Sequence, residues 1–379
     1  MAMAELPNYV ISHIAKRFED IEDYIAFRSV CTSWRIAATK DDFDVPRIPL
    51  LMLGSKQDDD FRKFYSLSKR KVSSIFLPEA KNVECFSTQG WLFTVANTSL
   101  EGEMNLLHPF SRTQIQLPSL KLLLDFHDDD HITTWRYVMK AVLSANPSIT
   151  RDYVLSLWYE SNYCGDKDYF AFWSPGDLNW THIQPRGSSY VASMIYHKGQ
   201  FYYLNYAGEV WNFYPNIETN LLLLVELDDD IFDEFEFVKF YLVEVSGALL
   251  VVIRFFDINQ DKVDLSNGTG ISIETNKFKV CEIDIIKGEL KEIKNMEDST
   301  IFVGRNEAIC IDSSECTGVK PNHIYFTDDC FEFPREEEGG VGRDMGCYNL
   351  ENGKTESIYP ELSTSLICPP TWISPSFIL

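Results

Sequence analysis

This 379-residue sequence lacks a long hydrophobic run and an excess of basic residues. Its longest apolar stretches, such as 248–253, end well before the roughly 18 residues that a membrane span needs, and the N-terminus has no basic segment followed by an apolar one. We therefore expect no membrane segment and no export by the usual secretory route. Lysine and arginine number 34 against 57 aspartates and glutamates, a net charge of −23. This acidity argues against nucleic acid and anionic membranes as partners.

Motifs of enzyme active sites and of disulfide scaffolds are missing as well. The sequence has no Gly-x-Ser-x-Gly elbow and no His-Glu-x-x-His motif, and the glycine-rich 339–342 segment lacks the following helix of a phosphate loop. Nine cysteines, an odd number without a Cys-x-x-Cys pair, suit buried thiols in a reducing compartment. We predict a non-catalytic protein without a cofactor or metal, located in the nucleus and cytoplasm.

Acidic runs are the most prominent local charge feature, at 128–130, 228–234 and 336–338. His127 and His131 flank the first run, so a divalent metal site is one interpretation, and a solvated acidic loop is the favoured one. The other two runs lack the glycine and the spaced oxygen ligands of a calcium loop, and we interpret them as exposed loops. Contact with a basic substrate is the alternative for these two runs.

The N-terminal 45 residues differ from the rest because their apolar residues follow a helical period. Pro7 suits a first helical turn, where its missing N–H would have no partner, and Asp20 is placed to cap a second helix. The apolar residues recur three and four apart: Val10, Ile11, Ile14, Ala15 and Phe18, then Tyr24, Ile25, Phe27, Val30, Cys31 and Trp34. Because about 40 residues barely sustain a core, we expect a partner to cover part of this module.

This pattern resembles the F-box, the helical motif that docks substrate receptors on the Skp adaptor of a cullin-RING ubiquitin ligase. The resemblance rests on one spaced set: Leu6, Pro7, Ile11, Ile14, Asp23, Phe27, Arg28, Val30, Cys31, Trp34 and Arg35. It implies that six of these residues contact the adaptor, namely Leu6, Pro7, Ile11, Ile14, Val30 and Trp34. Trp34 is equally suited to the core of the module, and an ordinary helical cap on a β domain is the alternative to an F-box.

After a charged, proline-containing segment at 41–48 that we interpret as a linker, the apolar period changes to that of short β-strands. A turn residue precedes an aromatic strand four times, at Gly90, Gly199, Gly208 and Asn322. We count about 24 strands over about 330 residues, which exceeds a sandwich, whereas blades of ~40 to 50 residues would number six or seven. The sequence predicts a kelch-like β-propeller, with six blades as the first choice and seven as the second.

The β region resembles the KIB-type propeller domain that commonly follows an F-box in land plants. The matching segments are 90–92, 107–118, 172–180, 241–252, 302–306 and 322–329. The sequence departs from the family at His108, where asparagine is usual, and at 296–298, where a Leu-Gly-Asp turn is usual. We expect five aromatic side chains to form blade core rather than a ligand platform: Trp91, Trp173, Trp180, Tyr202 and Tyr325.

Together the two resemblances imply the substrate-recognition subunit of an SCF-type ubiquitin ligase. The small all-α F-box module would span 1–45 and the large all-β propeller 46–379. The implied partners are the Skp adaptor, the cullin and an unknown target protein held by the propeller loops. Two alternatives stay open: a non-degradative F-box scaffold, and a propeller that acts as an enzyme or small-molecule sensor. Convergent His, Asp or Cys at one mouth of the central channel would favour the second alternative.

Overall fold

The computed structural model describes residues 6–18, 21–39, 48–55, 59–96, 102–119, 122–123, 136–161, 167–185, 190–213, 222–226, 237–259, 272–314, 316–329, 343–361, 363–365 and 367–376. Several features named above lie outside these residues. They are the cap Asp20, most of the linker, the three acidic runs with His127 and His131, and the glycine-rich 339–342 segment.

Three short helices form the N-terminal module: α1 (Asn8–Ala15), α2 (Ile21–Ser29) and α3 (Thr32–Ala37). Pro7 is the N-cap of α1 and has an extended backbone, with φ −60° and ψ 144°. Its carbonyl accepts the first helical hydrogen bonds, from the N–H groups of Val10 at 2.9 Å and Ile11 at 3.2 Å. This position suits a residue that has no N–H of its own to donate.

The described chain after the module is dominated by β-strands. In chain order they are β1 (Leu50–Met52), β2 (Phe61–Ser66), β3 (Lys71–Phe76), β4 (Glu84–Thr88), β5 (Trp91–Val95), β6 (Met104–Leu107), β7 (Gln114–Gln116), β8 (Arg136–Leu143), β9 (Leu155–Ser161), β10 (Lys167–Trp173), β11 (Thr181–Ile183), β12 (Val191–His197), β13 (Gln200–Asn205), β14 (Glu209–Phe213), β15 (Leu222–Glu226), β16 (Phe237–Val245), β17 (Ala248–Asn259), β18 (Ser272–Asp284), β19 (Glu289–Glu292), β20 (Ser299–Val303), β21 (Ile309–Asp312), β22 (His323–Phe326), β23 (Gly346–Asn349), β24 (Thr355–Glu356) and β25 (Thr371–Ile373).

These strands form six sheets, which we number as blades. Blade 1 has the order β25-β1-β2-β3, and blades 2, 4 and 5 contain β4–β7, β12–β15 and β16–β19 in sequence order. Blade 3 contains β8–β11, and blade 6 has the order β21-β20-β22-β23-β24. One edge strand of each blade contacts that of the next, in the succession β25, β4, β8, β12, β16 and β21. The prediction of a six-bladed propeller is confirmed.

Apolar clusters fill the spaces between consecutive blades. The cluster between blades 2 and 3 contains Trp91, Trp173 and Trp180, that between blades 4 and 5 contains Tyr202, and that between blades 6 and 1 contains Tyr325. All five aromatic side chains are at most 6% exposed, so their expected place in the blade core is confirmed. The cluster between blades 1 and 2 also includes the buried side chains of the helical module.

Tight turns join the strands that lie nearest the axis to their neighbours. Gln89-Gly90, Lys198-Gly199 and Ser246-Gly247 each place two successive residues at positive φ, between 46° and 88°. Two positive φ values define the type I′ turn, whose twist matches that of the flanking strands. Gly208 and Asn322 also have positive φ, at 80° and 57°. The turns that the repeated turn-plus-aromatic pattern predicted therefore exist.

The ring closes through blade 1, which combines the last strand with the first three. Strand β25 pairs antiparallel with β1, and Trp372 lies opposite Leu51. The Trp372 ring meets Phe302 edge-on at a centroid distance of 5.0 Å and Tyr325 at 6.2 Å, both from blade 6. One side chain of the closing strand therefore joins two blades.

Blade 6 departs from the simple antiparallel pattern of the others. Strands β20 and β22 pair in parallel, with Ile301 opposite Ile324, and β21 pairs with the other side of β20. The connection 304–308 between β20 and β21 reaches the inner strand of blade 2, because the N–H of Glu307 donates to the carbonyl of Ser87 at 2.8 Å. Since blade 1 stands between blades 6 and 2, this connection passes the inner side of blade 1 to reach blade 2.

Candidate functional site

The helical module has its own aromatic core. The Trp34 ring lies 4.4 Å from that of Phe27, which lies 5.0 Å from that of Phe18. Trp34 is 6% exposed and Ile11 is fully buried. The Tyr24 hydroxyl donates to the carbonyl of Thr39 at 2.5 Å and so connects α2 to the segment after α3. Ile11 and Trp34 therefore hold the module together.

The remaining residues of the predicted adaptor contact lie at or near the surface. Val30 is 56% exposed and Pro7 is exposed, whereas Leu6 and Ile14 are half-buried and pack against the module core. The structure therefore divides the predicted set into two residues that form the core and four that reach the surface. Their contact with an adaptor stays a prediction.

Two exposed apolar side chains of the module were missed by the sequence reasoning. Tyr9 is 75% exposed and Ile36 is 68% exposed. Each lies two positions from a buried residue, Tyr9 from Ile11 and Ile36 from Trp34, which places it on another side of its helix. The sequence signal for an exposed position was an apolar residue that does not follow the helical spacing of the buried residues. We call Pro7, Tyr9, Val30 and Ile36 the exposed module patch.

The propeller channel contains a second concentration of polar groups. The 304–308 connection is fixed by the ion pair of Arg305 with Glu84 on β4, and the Arg305 guanidinium lies over the Phe86 ring, 4.2 Å from its centroid. The Glu307 carboxylate accepts the hydroxyl of Thr88 at 2.7 Å. The segment 302–306 matches the family signature, and the structure divides it between the end of β20, where Phe302 and Val303 pack in the blade core, and the connection that follows.

Burial shifts the pKa values of two charged groups in this channel. The pKa of Glu307 is raised to about 6 by burial, against which the Thr88 hydrogen bond acts. The pKa of Lys140, on the inner strand of blade 3, is lowered to about 8 by burial, and the nearby charges of Glu307 and Asp329 oppose this shift. Both groups therefore stay mostly charged at neutral pH, although water does not stabilise them.

A network of ion pairs joins blades 5 and 6 beside these two groups. Arg254 is fully buried, and its guanidinium pairs with Asp329 at 3.3 Å and with Asp344 at 2.8 Å. Lys239 Nζ lies 3.5 Å from the Asp329 carboxylate and donates to its carbonyl at 2.6 Å. Asp344 also accepts the hydroxyl of Thr275 at 2.6 Å. This network satisfies its charges internally.

Two histidines of the propeller, His108 and His197, make hydrogen bonds inside the fold. His108 is buried; its Nδ1 accepts the N–H of Ser111 at 3.1 Å, so the proton lies on Nε2, which donates to the Ser376 hydroxyl at 3.0 Å. Burial lowers the pKa of His108 to about 4. His197 pairs with Glu244 at 2.7 Å on neighbouring blades. In the part of the chain that the structure describes, no three His, Cys, Asp or Glu side chains are grouped to hold a metal ion.

The described cysteines are thiols inside the fold. Cys85, Cys281, Cys347 and Cys368 are buried, and Cys31, Cys310 and Cys316 are half-buried. A hydrogen bond with Cys85, helped by the guanidinium groups of two arginines, lowers the pKa of the Cys368 thiol. Among the described residues, no helix is long and apolar enough to cross a membrane.

Three helices with an aromatic core, followed by a six-bladed propeller, define an F-box protein with a β-propeller. Comparison with known families agrees, because the F-box domain matches residues 3–46 and the KIB1-4 beta-propeller matches residues 64–349. The second match covers more than half of the chain, so this protein belongs to the KIB1-4 β-propeller family. The boundary between 1–45 and 46–379 stays a prediction.

Curated F-box proteins of Arabidopsis thaliana are similar to this chain over most of its length. The chain is 26% identical over 345 residues to "F-box protein At2g26160", which covers 86% of this chain and 95% of the relative. It is 25% identical over 406 residues to "F-box protein SKIP23", which covers 97% of this chain and 95% of the relative. The similarity therefore extends over nearly the full length of these F-box proteins.

Proposed function

We propose that this protein is the substrate-recognition subunit of an SCF-type ubiquitin ligase, non-catalytic and located in the nucleus and cytoplasm. The F-box would bind the Skp adaptor and, through it, the cullin, while the propeller holds a target protein. The observation that carries the proposal is the pairing of an F-box domain with a complete propeller in one chain. The contribution of such a subunit is proximity, because it brings the target close to the ubiquitin-loaded enzyme.

The exposed module patch supports this role. Three large apolar side chains of one small module, Tyr9, Val30 and Ile36, are each more than half exposed. A contiguous apolar surface is typical of a protein interface, and the proposal requires that the adaptor cover these three side chains together. The patch would supply the apolar centre of the adaptor interface, and Leu6 and Ile14 would contact its edge.

The target would bind the propeller face that carries, in blades 2 to 5, the connections after the first and third strands. In an antiparallel blade these two connections emerge on the same side. Three of their residues are almost fully exposed and apolar: Ile149 at 84%, Leu178 at 85% and Ile286 at 97%. These three side chains, two on blade 3 and one on blade 5, are exposed to a protein partner.

Co-purification with the Skp adaptor and a cullin tests the adaptor contact. Val30→Asp places a charge in the exposed module patch, whereas Ile286→Asp makes the same kind of change on the distant propeller face. We expect the wild type and Ile286→Asp to retain both partners and Val30→Asp to lose them. The variant Leu6→Ala with Pro7→Ala is expected to weaken the same contact. Thermal unfolding of each variant shows whether the fold is retained.

The outcomes separate the candidate roles. If the wild-type chain captures neither partner, the ligase proposal fails. If the wild-type chain captures the adaptor and never the cullin, the non-degradative scaffold replaces the ligase proposal. If Val30→Asp binds as well as the wild type at an unchanged melting temperature, the exposed module patch is not the adaptor contact.

A further inference from the structure

The segment 61–78, which contains β2 and β3 of blade 1, is basic within an acidic chain. It has five lysines and arginines and no aspartate or glutamate, whereas the whole chain has 34 against 57. We call this segment the basic hairpin. Lys63, Arg70 and Lys71 are exposed, and they form no ion pair with any residue that the structure describes. Their positive charge is therefore available to an acidic partner.

One face of the basic hairpin is open to a partner. The paired strands place six side chains on this face, and Tyr65 is the one that is buried. Phe61, Val72 and Phe76 are 47%, 37% and 46% exposed, and the two phenylalanine rings meet edge-on at a centroid distance of 5.3 Å. On the opposite face Ile75 packs against the apolar cluster that joins the helical module to blades 1 and 2. The hairpin is therefore held by one face and accessible on the other.

The outer edge of β3 is open as well. Strand β3 is the last strand of blade 1, and no strand in the described ranges pairs with its other side. In an antiparallel ladder, residues that bond to the facing strand alternate with residues whose N–H and C=O groups point away from it. The carbonyl of Lys63 accepts the N–H of Leu53 at 2.8 Å, on the side away from its partner Ser74. The alternation therefore directs the backbone groups of Val72, Ser74 and Phe76 to the open edge.

We propose that this edge binds an extended, acidic segment of a partner protein, which adds to blade 1 as a further strand. An added strand satisfies a row of outward N–H and C=O groups, and proteins commonly recognise extended peptides in this way. Acidic side chains of the segment would pair with Lys63, Arg70 and Lys71. Its apolar side chains would cover the rings of Phe61 and Phe76.

Charge selects this occupant over the other candidates. A second copy of the chain would bring an identical basic strand to the edge. Nucleic acid and anionic membranes would meet a protein whose net charge is −23. The basic hairpin is also separate from the exposed module patch, so the proposal holds whether or not the chain joins a ligase.

Fluorescence anisotropy with labelled synthetic peptides tests the proposal on the full chain. The probe alternates glutamate with valine over about eight residues, slightly more than a typical strand. One control peptide carries lysine in place of glutamate, and another has the acidic sequence with an N-methylated backbone that cannot pair. We expect the wild type to bind the acidic peptide, more weakly as salt rises, and neither control. Hydrogen exchange should slow at 72–76 in the complex.

Matched variants assign the binding to β3. Ser74→Pro removes an outward N–H and leaves the bonds to β2 in place, so we expect it to fold and to lose the peptide. Lys63→Glu combined with Lys71→Glu should weaken binding about tenfold or more, because like charges then face the peptide. Lys291→Glu makes the same change on β19, the outer strand of blade 5, and should bind as the wild type does. Thermal unfolding shows that each variant is folded.

Four results would overturn the proposal. The first is a wild-type chain that binds the acidic peptide no better than the lysine peptide. The second is a folded Ser74→Pro variant that binds as tightly as the wild type. The third is tighter binding of a thymidine oligonucleotide or of phosphatidylserine vesicles at the same hairpin. The fourth is a wild-type dimer in sedimentation that Ser74→Pro dissociates, because a second copy then occupies the edge.

Discussion

Trp372→Ala should destabilise the whole propeller, because this side chain closes the ring. Trp372 is fully buried between blade 1 and the Phe302 and Tyr325 rings of blade 6. Burying a tryptophan removes roughly 150–250 Å² from water, which at ~25 cal/mol per Å² corresponds to about 4–6 kcal/mol. Large-to-small substitutions at such sites cost about 3–5 kcal/mol, and we expect a loss of unfolding free energy in this range.

Trp372→Phe provides a finer test of the same contact. Among the described residues the indole Nε1 of Trp372 has no hydrogen-bond partner, so phenylalanine loses ring volume and also removes an unsatisfied donor. The two changes oppose each other, and we expect a loss of about 1–2 kcal/mol, well below that of the alanine variant.

Urea unfolding followed by circular dichroism of the β structure gives the unfolding midpoint and the free energy. Ile286→Ala is the control, because its side chain is 97% exposed and such surface changes stay within about 0.5 kcal/mol. The reasoning is refuted if Trp372→Ala unfolds at the same midpoint as Ile286→Ala. It is also refuted if Trp372→Phe costs as much as Trp372→Ala.

Three further predictions concern a glycine and two buried bases. Gly318→Ala should lower the unfolding midpoint far more than Gly176→Ala; their φ values are similar, 96° and 103°, but only at Gly318 would the new Cβ meet backbone, 2.4 Å from Ser68 Cα. The pKa of His108 is about 4 in the folded protein and 6.5 in the unfolded chain, so the unfolded chain binds more protons between these pH values. The free energy of unfolding should therefore fall by about 3 kcal/mol as the pH drops from 6.5 to 4. His108→Asn should lack this slope in urea titrations. The pKa of Lys140 is about 8 against 10.5, so stability should rise by about 3 kcal/mol from pH 8 to 10.5 in the wild type and not in Lys140→Met.

Local features of the fold were readable from the sequence. The turns predicted at Gly90 and Gly199 have positive φ at these residues, and each is followed directly by a strand, β5 or β13. Such features depend on the backbone conformation of one or two residues and on an apolar period of two residues. Short segments of the sequence determine both. The blade number followed from the count of about 24 strands, because six blades of four strands account for them.

Features that depend on distant residues were not readable. The parallel pairing of β20 with β22 joins segments with a hairpin strand between them, and adjacent apolar runs do not reveal their order in a sheet. A helical stripe shows which face is apolar but not whether a neighbouring helix covers it, so Ile11 and Trp34 could not be separated from Val30. Lys140 and Glu307 lie 167 positions apart, and only the closed ring brings them to one channel.

The closing strand also sets the order in which the protein can be completed during synthesis. Leu51 pairs with Trp372, so blade 1 lacks its inner strand until 321 further residues have been made. At translation rates of roughly 5–20 residues per second, this interval is on the order of 15 to 60 s. Throughout it the edge of β1 is open to other strands, while the N-terminal module has already left the ribosome. The nascent chain therefore exposes an unpaired strand edge close in sequence to its F-box module, and early binding of the proposed adaptor would shield this region before the ring closes.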